Sequence, residues 1–485
     1  MVEIDRRTVL RAGLVTGAGV LAGSVAARPA FGMPVLLRAR PAVTHGVQAG
    51  DVTGESGVVW ARADGPARML VQVARGNSFS GSRVVRDPAV TADSDFTGKV
   101  RVHGLPAGDD VAYRVLFADL DDETLTGEPV AGSFRTAPRD RGDIRFIWSG
   151  DIAGQGWGVN PDFGGFRAVD AVRALRPDFF LCSGDTVYSD GPISATVPLP
   201  DGSLWHNLVT PEKSKVAETL EEFRGQFRYN LLADNWRALL GETAQLNQWD
   251  DHEVHNNWWP GQILEDARYT EKRADVLAAR ATQAFHEYLP IEPRFDDTGR
   301  VYRVLRYGPL LDVFVLDMRT YRDANSPDTQ TVPDGGILGT RQTEWLIREL
   351  AGSEAVWKVI ASDMPLGLVV PDGPTRIEAV AQGQRRAAAG PRAGDRPGAH
   401  RAAPPAGPQH RVADRRRALH RRPLLRPEPG GLPRLRPVLG VRLRAAERRR
   451  VRPEPAGRHV RAAGDVRRDA AAPERLPRGG LPVLR

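Results

Sequence analysis

Five apolar runs, each closing on small or acidic residues and parted by helical stretches, restrict most of this chain to a layered α/β body. The runs are Ile144 to Trp148, Asp178 to Cys182, Gln245 to Trp249, Leu310 to Asp317 and Val356 to Ile360. Phe166 to Leu175, residues 217 to 240, Ala274 to Tyr288 and Arg341 to Leu350 carry the apolar period of helices between them. Strands alternating with helices build a mostly parallel sheet, which presents its site at the carboxyl ends of its strands. The polar residues that close the runs are therefore expected along one sheet edge.

Upstream the pattern changes. Residues 42 to 136 place short apolar segments between Gly, Asp and Pro turns: Gly57 to Ala61, Met69 to Val73, Val100 to Val102, Val111 to Phe117 and Ser133 to Thr136. Alternation with period two at this spacing predicts a small fibronectin-like β-sandwich, joined to the α/β body by the charged linker Pro138 to Asp143.

The net charge of +7 suggests a partner of opposite sign until the chain is divided at Val380. Residues 381 to 485 hold 27 Arg and no Lys against 8 acids, a net of +19, so the first 380 residues carry −12. An acidic body has no general affinity for polyanions, although a metal site in it can hold phosphate locally. The segment after 380 uses ten residue types and contains no aromatic residue, Ile, Ser, Thr or Asn, so it lacks the material of an ordinary core. GC-rich coding DNA read out of phase yields this composition. Back-translated with plausible codons and shifted by one base, Gln409 to Arg422 gives Ser-Thr-Val-Trp-Leu-Thr-Ala-Asp-Val-His-Tyr-Thr-Ala, an apolar strand ending in metal-type ligands. The expectation is a disordered or non-native tail, out of frame from about Gly383, which leaves the α/β body truncated. No strand is expected to place His410, Asp414 or His420.

Arg6-Arg7-Thr8-Val9-Leu10-Arg11, the uncharged run Ala12 to Ala27 and a small-residue exit resemble a twin-arginine signal peptide. A periplasmic or secreted protein is expected, with no transmembrane anchor, since the run is short and Gly-rich. Cys182 is the single cysteine, which excludes an intrachain disulfide, and its apolar setting predicts a buried thiol rather than a nucleophile.

The candidate site lies in two strand-end segments, Ser183-Gly184-Asp185-Thr186-Val187-Tyr188 and Trp249-Asp250-Asp251-His252-Glu253-Val254-His255-Asn256-Asn257. A dinuclear hydrolase needs a carboxylate that bridges two cations and terminal ligands for each. Asp185 is the bridging candidate, because Gly184 permits a tight turn after a strand; alone, a strand-end Asp carries no such meaning. Tyr188 is either a packed aromatic or a phenolate ligand, which would imply a hard ion such as ferric iron. Asp151 closes the first strand, before a glycine-rich loop at Gly154, Gly156 and Gly158. Asp251 and either Asn256 or Asn257 offer oxygen ligands of the type calcium prefers, with Asn257 taken as the ligand. His252 is the candidate to hydrogen-bond a leaving-group or phosphoryl oxygen. Arg319 and Arg322 either clamp phosphate or lie on a surface loop.

Gly150-Asp151 with Gly154-Gln155-Gly156, Gly184 to Tyr188, Trp249 to Glu253 with Asn256-Asn257, and Leu316-Asp317-Met318-Arg319 together resemble the alkaline phosphatase D (PhoD-like) family. The resemblance implies a calcium- and iron-dependent (Ca2+ and Fe3+) phosphomonoesterase and phosphodiesterase, secreted when phosphate is scarce. It also implies attack by metal-activated hydroxide or oxide, with Asp185 and Tyr188 on iron and Asp185 shared with calcium. Some members carry a cysteine at the first strand end, where this chain has Gly150 and Asp151. The family's late Asp-x-His motif is absent from the chain as translated, so weak metal binding, poor folding or both are expected, and with them reduced activity. The predicted organisation is a signal peptide (1–32), a β-sandwich (42–137), an α/β/β/α metallophosphoesterase domain (144–382) and the tail (383–485). Phosphate monoesters or diesters, the twin-arginine export machinery and a monomeric state complete the expectation. Nucleic acid is expected only as a diester substrate or in non-specific contact with the tail. A purple-acid-phosphatase-like esterase and an inactive binding protein using the sandwich are the alternatives.

Overall fold

Seven strands with inward-facing apolar residues open the fold. The computed structural model describes residues 40–75, 78–292, 299–327, 336–364, 370–378 and 380, and the backbone of 410–414 and 439–443. The predicted signal peptide lies outside the described residues, as does most of the tail.

The seven strands are β1 (Val43–Gly50), β2 (Ser56–Ala63), β3 (Ala67–Arg75), β4 (Ser78–Val90), β5 (Thr97–His103), β6 (Asp110–Ala118) and β7 (Val130–Arg135). They form the two faces of the expected sandwich, β1-β2-β5 against β4-β3-β6-β7. The first face does not end there. β1 pairs in parallel with β12 (Ala244–Gln248), which lies beside β9 (Phe179–Ser183) and β8 (Ile144–Ser149), also parallel. One seven-stranded sheet, in the order β19-β8-β9-β12-β1-β2-β5, therefore runs through both halves, with β19 (Leu439–Leu443) antiparallel at its edge.

A second sheet stacks on the same inner face. β13 (Arg303–Tyr307) is antiparallel to β14 (Leu311–Val315), which is parallel to β15 (Trp357–Ser362) and then β18 (His410–Asp414). A continuous core holds the sheets together: Val59, Val71 and Phe117 from the sandwich join Phe146, Leu181, Leu246, Val313 and Ala361. Helices α1 (Arg167–Ala174), α2 (Leu220–Asn230), α3 (Asp234–Glu242) and α4 (Ala274–Tyr288) cover the outer face of the large sheet through Val172, Phe227, Trp236 and Leu277. α5 (Gly339–Gly352) covers the second sheet through Trp345, packed with Tyr302, Leu316 and Met318. The result is the expected α/β/β/α layering.

Three features depart from expectation. The single helix predicted over 217–240 is two: a Thr219/Glu222 capping box starts α2, and Ala233 at ψ +120° breaks the spiral before Asp234 opens α3. The small hairpins β10 (Thr196–Pro198) with β11 (Leu204–His206), and β16 (Pro371–Asp372) with β17 (Arg376–Ile377), have no apolar run to announce them. The expectation that no strand places His410 and Asp414 is also not met, since β18 lies in register with β15, Asp414 opposite Ser362. A β-ladder uses only backbone groups, and the open edge of β15 accepts a short segment whatever its side chains.

Candidate metal centre

A buried carboxylate fastens together the two loops that leave β9 and β12. Glu253 accepts from the backbone N–H groups of Asp185 (3.2 Å), Thr186 (2.6 Å) and Asp250 (2.8 Å). Gly184 lets these loops close: its φ is +76°, and a Cβ there would stand 2.4 Å from the Cβ of Asp250. Burial and the neighbouring Asp250 charge push Glu253 up to about 8 against the pull of the N–H donors.

The clasp fixes Asp185, which is 1% exposed and held at φ +48°. The Tyr188 hydroxyl stands 2.9 Å from Asp151 Oδ1 and 3.1 Å from Asp185 Oδ2, so three oxygens from two strand ends converge. The Tyr188 ring stacks on the imidazole of His252 at 4.4 Å between centroids. It also rests on Gly154, where a Cβ would lie 2.3 Å from the ring. On the other loop, ligand atoms of Asp185, Asp251 and His252 lie within 4.8 Å of one another. Asp185 is thus common to two donor groups, Asp151–Asp185–Tyr188 and Asp185–Asp251–His252. Ten non-glycine residues among those described have positive φ, and five of them (Asp151, Ala153, Gln155, Asp185 and Asn257) lie in the loops after β8, β9 and β12, which concentrates backbone strain at the donors.

His252 is oriented by a residue that the strand-end pattern does not single out. Its Nδ1 lies 2.8 Å from Asp190 Oδ1, while Asp190 Oδ2 accepts from Asn256 N–H at 2.8 Å. Burial draws the imidazole down, but Asp251, Asp185 and Asp190 outweigh it and hold His252 well above its ordinary range. Asp190 falls below the ordinary carboxylate range, since His252 overcomes the opposing effect of burial.

Asn257 is anchored on both sides: its N–H donates to Asp251 Oδ2 at 2.8 Å and its side-chain Nδ2 donates to Asp372 Oδ1 at 2.8 Å. Of the two readings of Arg319 and Arg322, the structure removes the surface loop, since both are buried. Arg319 is 0% exposed, donating from Nε to Asp250 Oδ1 (2.7 Å) and from Nη1 to Glu378 Oε1 (2.5 Å). Arg322 donates to the same Glu378, from Nη1 at 2.7 Å and from Nη2 at 3.1 Å. Burial opposes ionisation of Glu378, yet these two guanidinium groups hold it down to about 2. Beneath them Gln248, at the end of β12, donates to Leu316 O (2.9 Å), Ala361 O (3.1 Å) and Asp363 Oδ1 (3.0 Å), tying the carboxyl ends of the two sheets together.

A model of the family described as "PhoD-like phosphatase" matches residues 146–396, and one for its N-terminal domain matches residues 30–138. The chain belongs to the PhoD-like phosphatase family. Alkaline phosphatase D of Bacillus subtilis (strain 168) is 30% identical over 215 residues, 42% of this chain and 35% of that protein, so the chain spans about a third of that relative. A solved structure of PhoD superposes with a TM-score of 0.55 at 22% identity, over 69% of this chain and 65% of that one, which shows a shared fold. A purple acid phosphatase from yellow lupin (Lupinus luteus) seeds matches at a TM-score of 0.44 and 12% identity, over 68% of this chain and 52% of that one, too slight a likeness to carry argument.

In this PhoD-like chain the structure gathers Asp151, Asp185, Tyr188, Asp251 and His252, and sets Arg319 behind them. Sequence reasoning missed Asp190, Asp372 and Glu378. Asp190 had a signal, since it follows Tyr188 by two residues in the same strand-end loop. Asp372 and Glu378 had none, for their partners lie 115 and 59 residues away.

Proposed function

We propose that this chain is an exported, metal-dependent phosphoric ester hydrolase acting on phosphate monoesters and diesters. The observation that carries the reading is the sharing of Asp185 between two donor groups at one sheet edge. The converging carboxylates of Asp151, Asp185 and Asp251, with the Tyr188 hydroxyl, make an oxygen-rich donor set that suits hard cations. Asp151, Asp185 and Tyr188 would hold one ion, a phenol-bearing set that suits ferric iron; Asp185, Asp251 and the carbonyl of Asn257 would hold a second, a set that suits calcium. Cations bound there would neutralise a phosphoryl group and lower the pKa of an attacking water.

The remaining work falls to this chain's own side chains. Asp190 occupies His252 Nδ1, which leaves Nε2 to carry the proton for the leaving group. As a water oxygen bonds to phosphorus and the P–O ester bond breaks, that proton passes to the departing alkoxide and the water's proton is lost to solvent. Arg319 is a positioning residue: through Asp250 and Glu378 it fixes the loop that presents Asp251 and His252.

The test is Asp185→Asn assayed on p-nitrophenyl phosphate and bis(p-nitrophenyl) phosphate with calcium and iron supplied, alongside metal content by mass spectrometry. Loss of turnover together with loss of bound metal supports the reading. Retained turnover sinks it. Export is checked by periplasmic recovery of the full chain against an Arg6→Lys, Arg7→Lys variant. The reading frame is checked by the nucleotide sequence across the codons for Ala379 to Pro391. A single-base error there restores the Asp-x-His strand, and a confirmed frame makes the chain as translated a weak metal binder with little activity.

A further inference from the structure

Three aromatic side chains gather beside the centre on loops that are otherwise fastened down. Trp157 and Trp205 meet edge to face, 5.6 Å between centroids at 77°, and Phe163 lies 4.9 Å from Trp205 at 54°. All three are partly exposed. Arg167 stands over the Phe163 ring at 5.0 Å and brings positive charge to its rim.

The patch sits one turn from Tyr188. Trp157 N–H donates to Gly154 O at 3.2 Å, closing a turn with φ of +58° at Gln155 and +91° at Gly156. Such a turn keeps its ends within about 7 Å, and Gly154 is the residue that rests on the Tyr188 ring. The loop is rigidly held by buried polar groups. Asn207 accepts from Gly158 N–H (2.8 Å) and Trp205 Nε1–H (2.9 Å), and donates to Gly156 O (2.9 Å) and Ser194 O (2.8 Å). The Tyr229 hydroxyl accepts from Val159 N–H at 2.8 Å and donates to Leu208 O at 2.7 Å. Aromatic surface kept half in water on a scaffold this well satisfied is preorganised for a ligand.

We propose that Trp157, Phe163 and Trp205 form the leaving-group subsite, and that the preferred substrates are phosphate esters whose alcohol carries a planar aromatic ring, of the nucleoside monophosphate type. The inference rests on the phosphoester reading of the neighbouring centre. Two rings set nearly at right angles make a corner that takes a flat ring by stacking on one face and meeting the other edge-on, a geometry an alkyl chain does not exploit.

Adenosine 5′-monophosphate and ribose 5-phosphate separate the effects, because both lose the same primary alkoxide and differ only in the base. The full chain is expected to favour the nucleotide about tenfold in kcat/KM, carried by KM. In Trp157→Ala and Trp205→Ala that ratio falls towards one, while Trp205→Phe retains most of it. A ratio near one in the unsubstituted chain, or a ratio unmoved by both alanine variants, overturns the proposal. If neither ester is hydrolysed by the chain as translated or by one with the late Asp-x-His motif restored, the phosphoester reading itself has failed. Calorimetric binding of the two compounds then judges the subsite separately, since equal affinity for both overturns it.

Discussion

Asp250 and Asp251 are neighbours in sequence, both buried, yet they belong to regions of opposite character. Asp250 faces inward to a strut of fixed charges, in which Arg319 lies against it at 2.7 Å and Glu378 balances Arg319 and Arg322. Asp251 faces the converging donors of Asp185 and His252, and Arg319 reaches it only at 3.7 Å. The strut carries its counter-charges within the chain; on the other side the oxygens of Asp185, Tyr188 and Asp251 turn towards one another. The same residue type is thus structural on one side of a peptide bond and turned towards a candidate metal site on the other.

The largest expected effect falls on the donor side. Asp185→Asn should lower kcat/KM by about a thousandfold or more, because both donor groups lose their shared member. Its melting temperature should hold or rise in the presence of chelator, since a repulsive charge has gone. A chelator should lower the melting temperature of the unsubstituted chain. A melting temperature of Asp185→Asn that falls as far as in the unsubstituted chain on chelation would break the contrast.

Arg319→Met strikes the strut and should cost about 3–5 kcal/mol in urea unfolding, by leaving Asp250 and Glu378 buried without their partner. Adding Glu378→Gln should recover part of the loss. A neutral Arg319→Met would show that the strut is not needed for stability. Asp190→Asn comes next, with kcat expected to fall about 10–100-fold and KM to change by less than about twofold, because His252 loses its orientation rather than the substrate its ligands. An altered KM with an unaltered kcat would instead place Asp190 in substrate binding.

The smallest effect lies far from the centre. His286 in α4 is drawn down to about 4 by burial and by Lys99. The unfolded chain takes up this proton below about 6.5, whereas the folded chain resists until about 4. Stability contributed by neutral His286 is thus present above the unfolded value and is lost as pH falls from about 6.5 to 4, on the order of 3 kcal/mol. Melting curves across that window should flatten in His286→Gln.

The strand-end donors were legible in advance because each depends on a local pattern. An apolar run followed by Gly184-Asp185, or by Asp250-Asp251-His252, states both the strand and the point where its polar residues emerge. Cys182 was legible for the same reason, and burial lifts its thiol to about 12. The pairing of Arg319 with Glu378 was not legible, because a basic residue after a strand has the same local pattern whether it meets a phosphate or a buried carboxylate. The hairpin that carries Trp205 escaped notice, since Thr196 to Pro198 offers no apolar run and its value comes from Asn207 holding a distant loop.

By itself, the sequence determined which residues end strands, where hard oxygen donors cluster, and that the composition changes after residue 380, because backbone periodicity and composition are written within a few residues. Only the tertiary structure decided that the sandwich and the α/β body share one sheet through β1 and β12. It also decided that Asp185 serves two donor groups, and that Arg319 is spent on Asp250 and Glu378. Those outcomes depend on which groups meet from distant parts of the chain in a low-dielectric interior, where Coulomb energies and desolvation costs are large and local patterns hold no record of the partner.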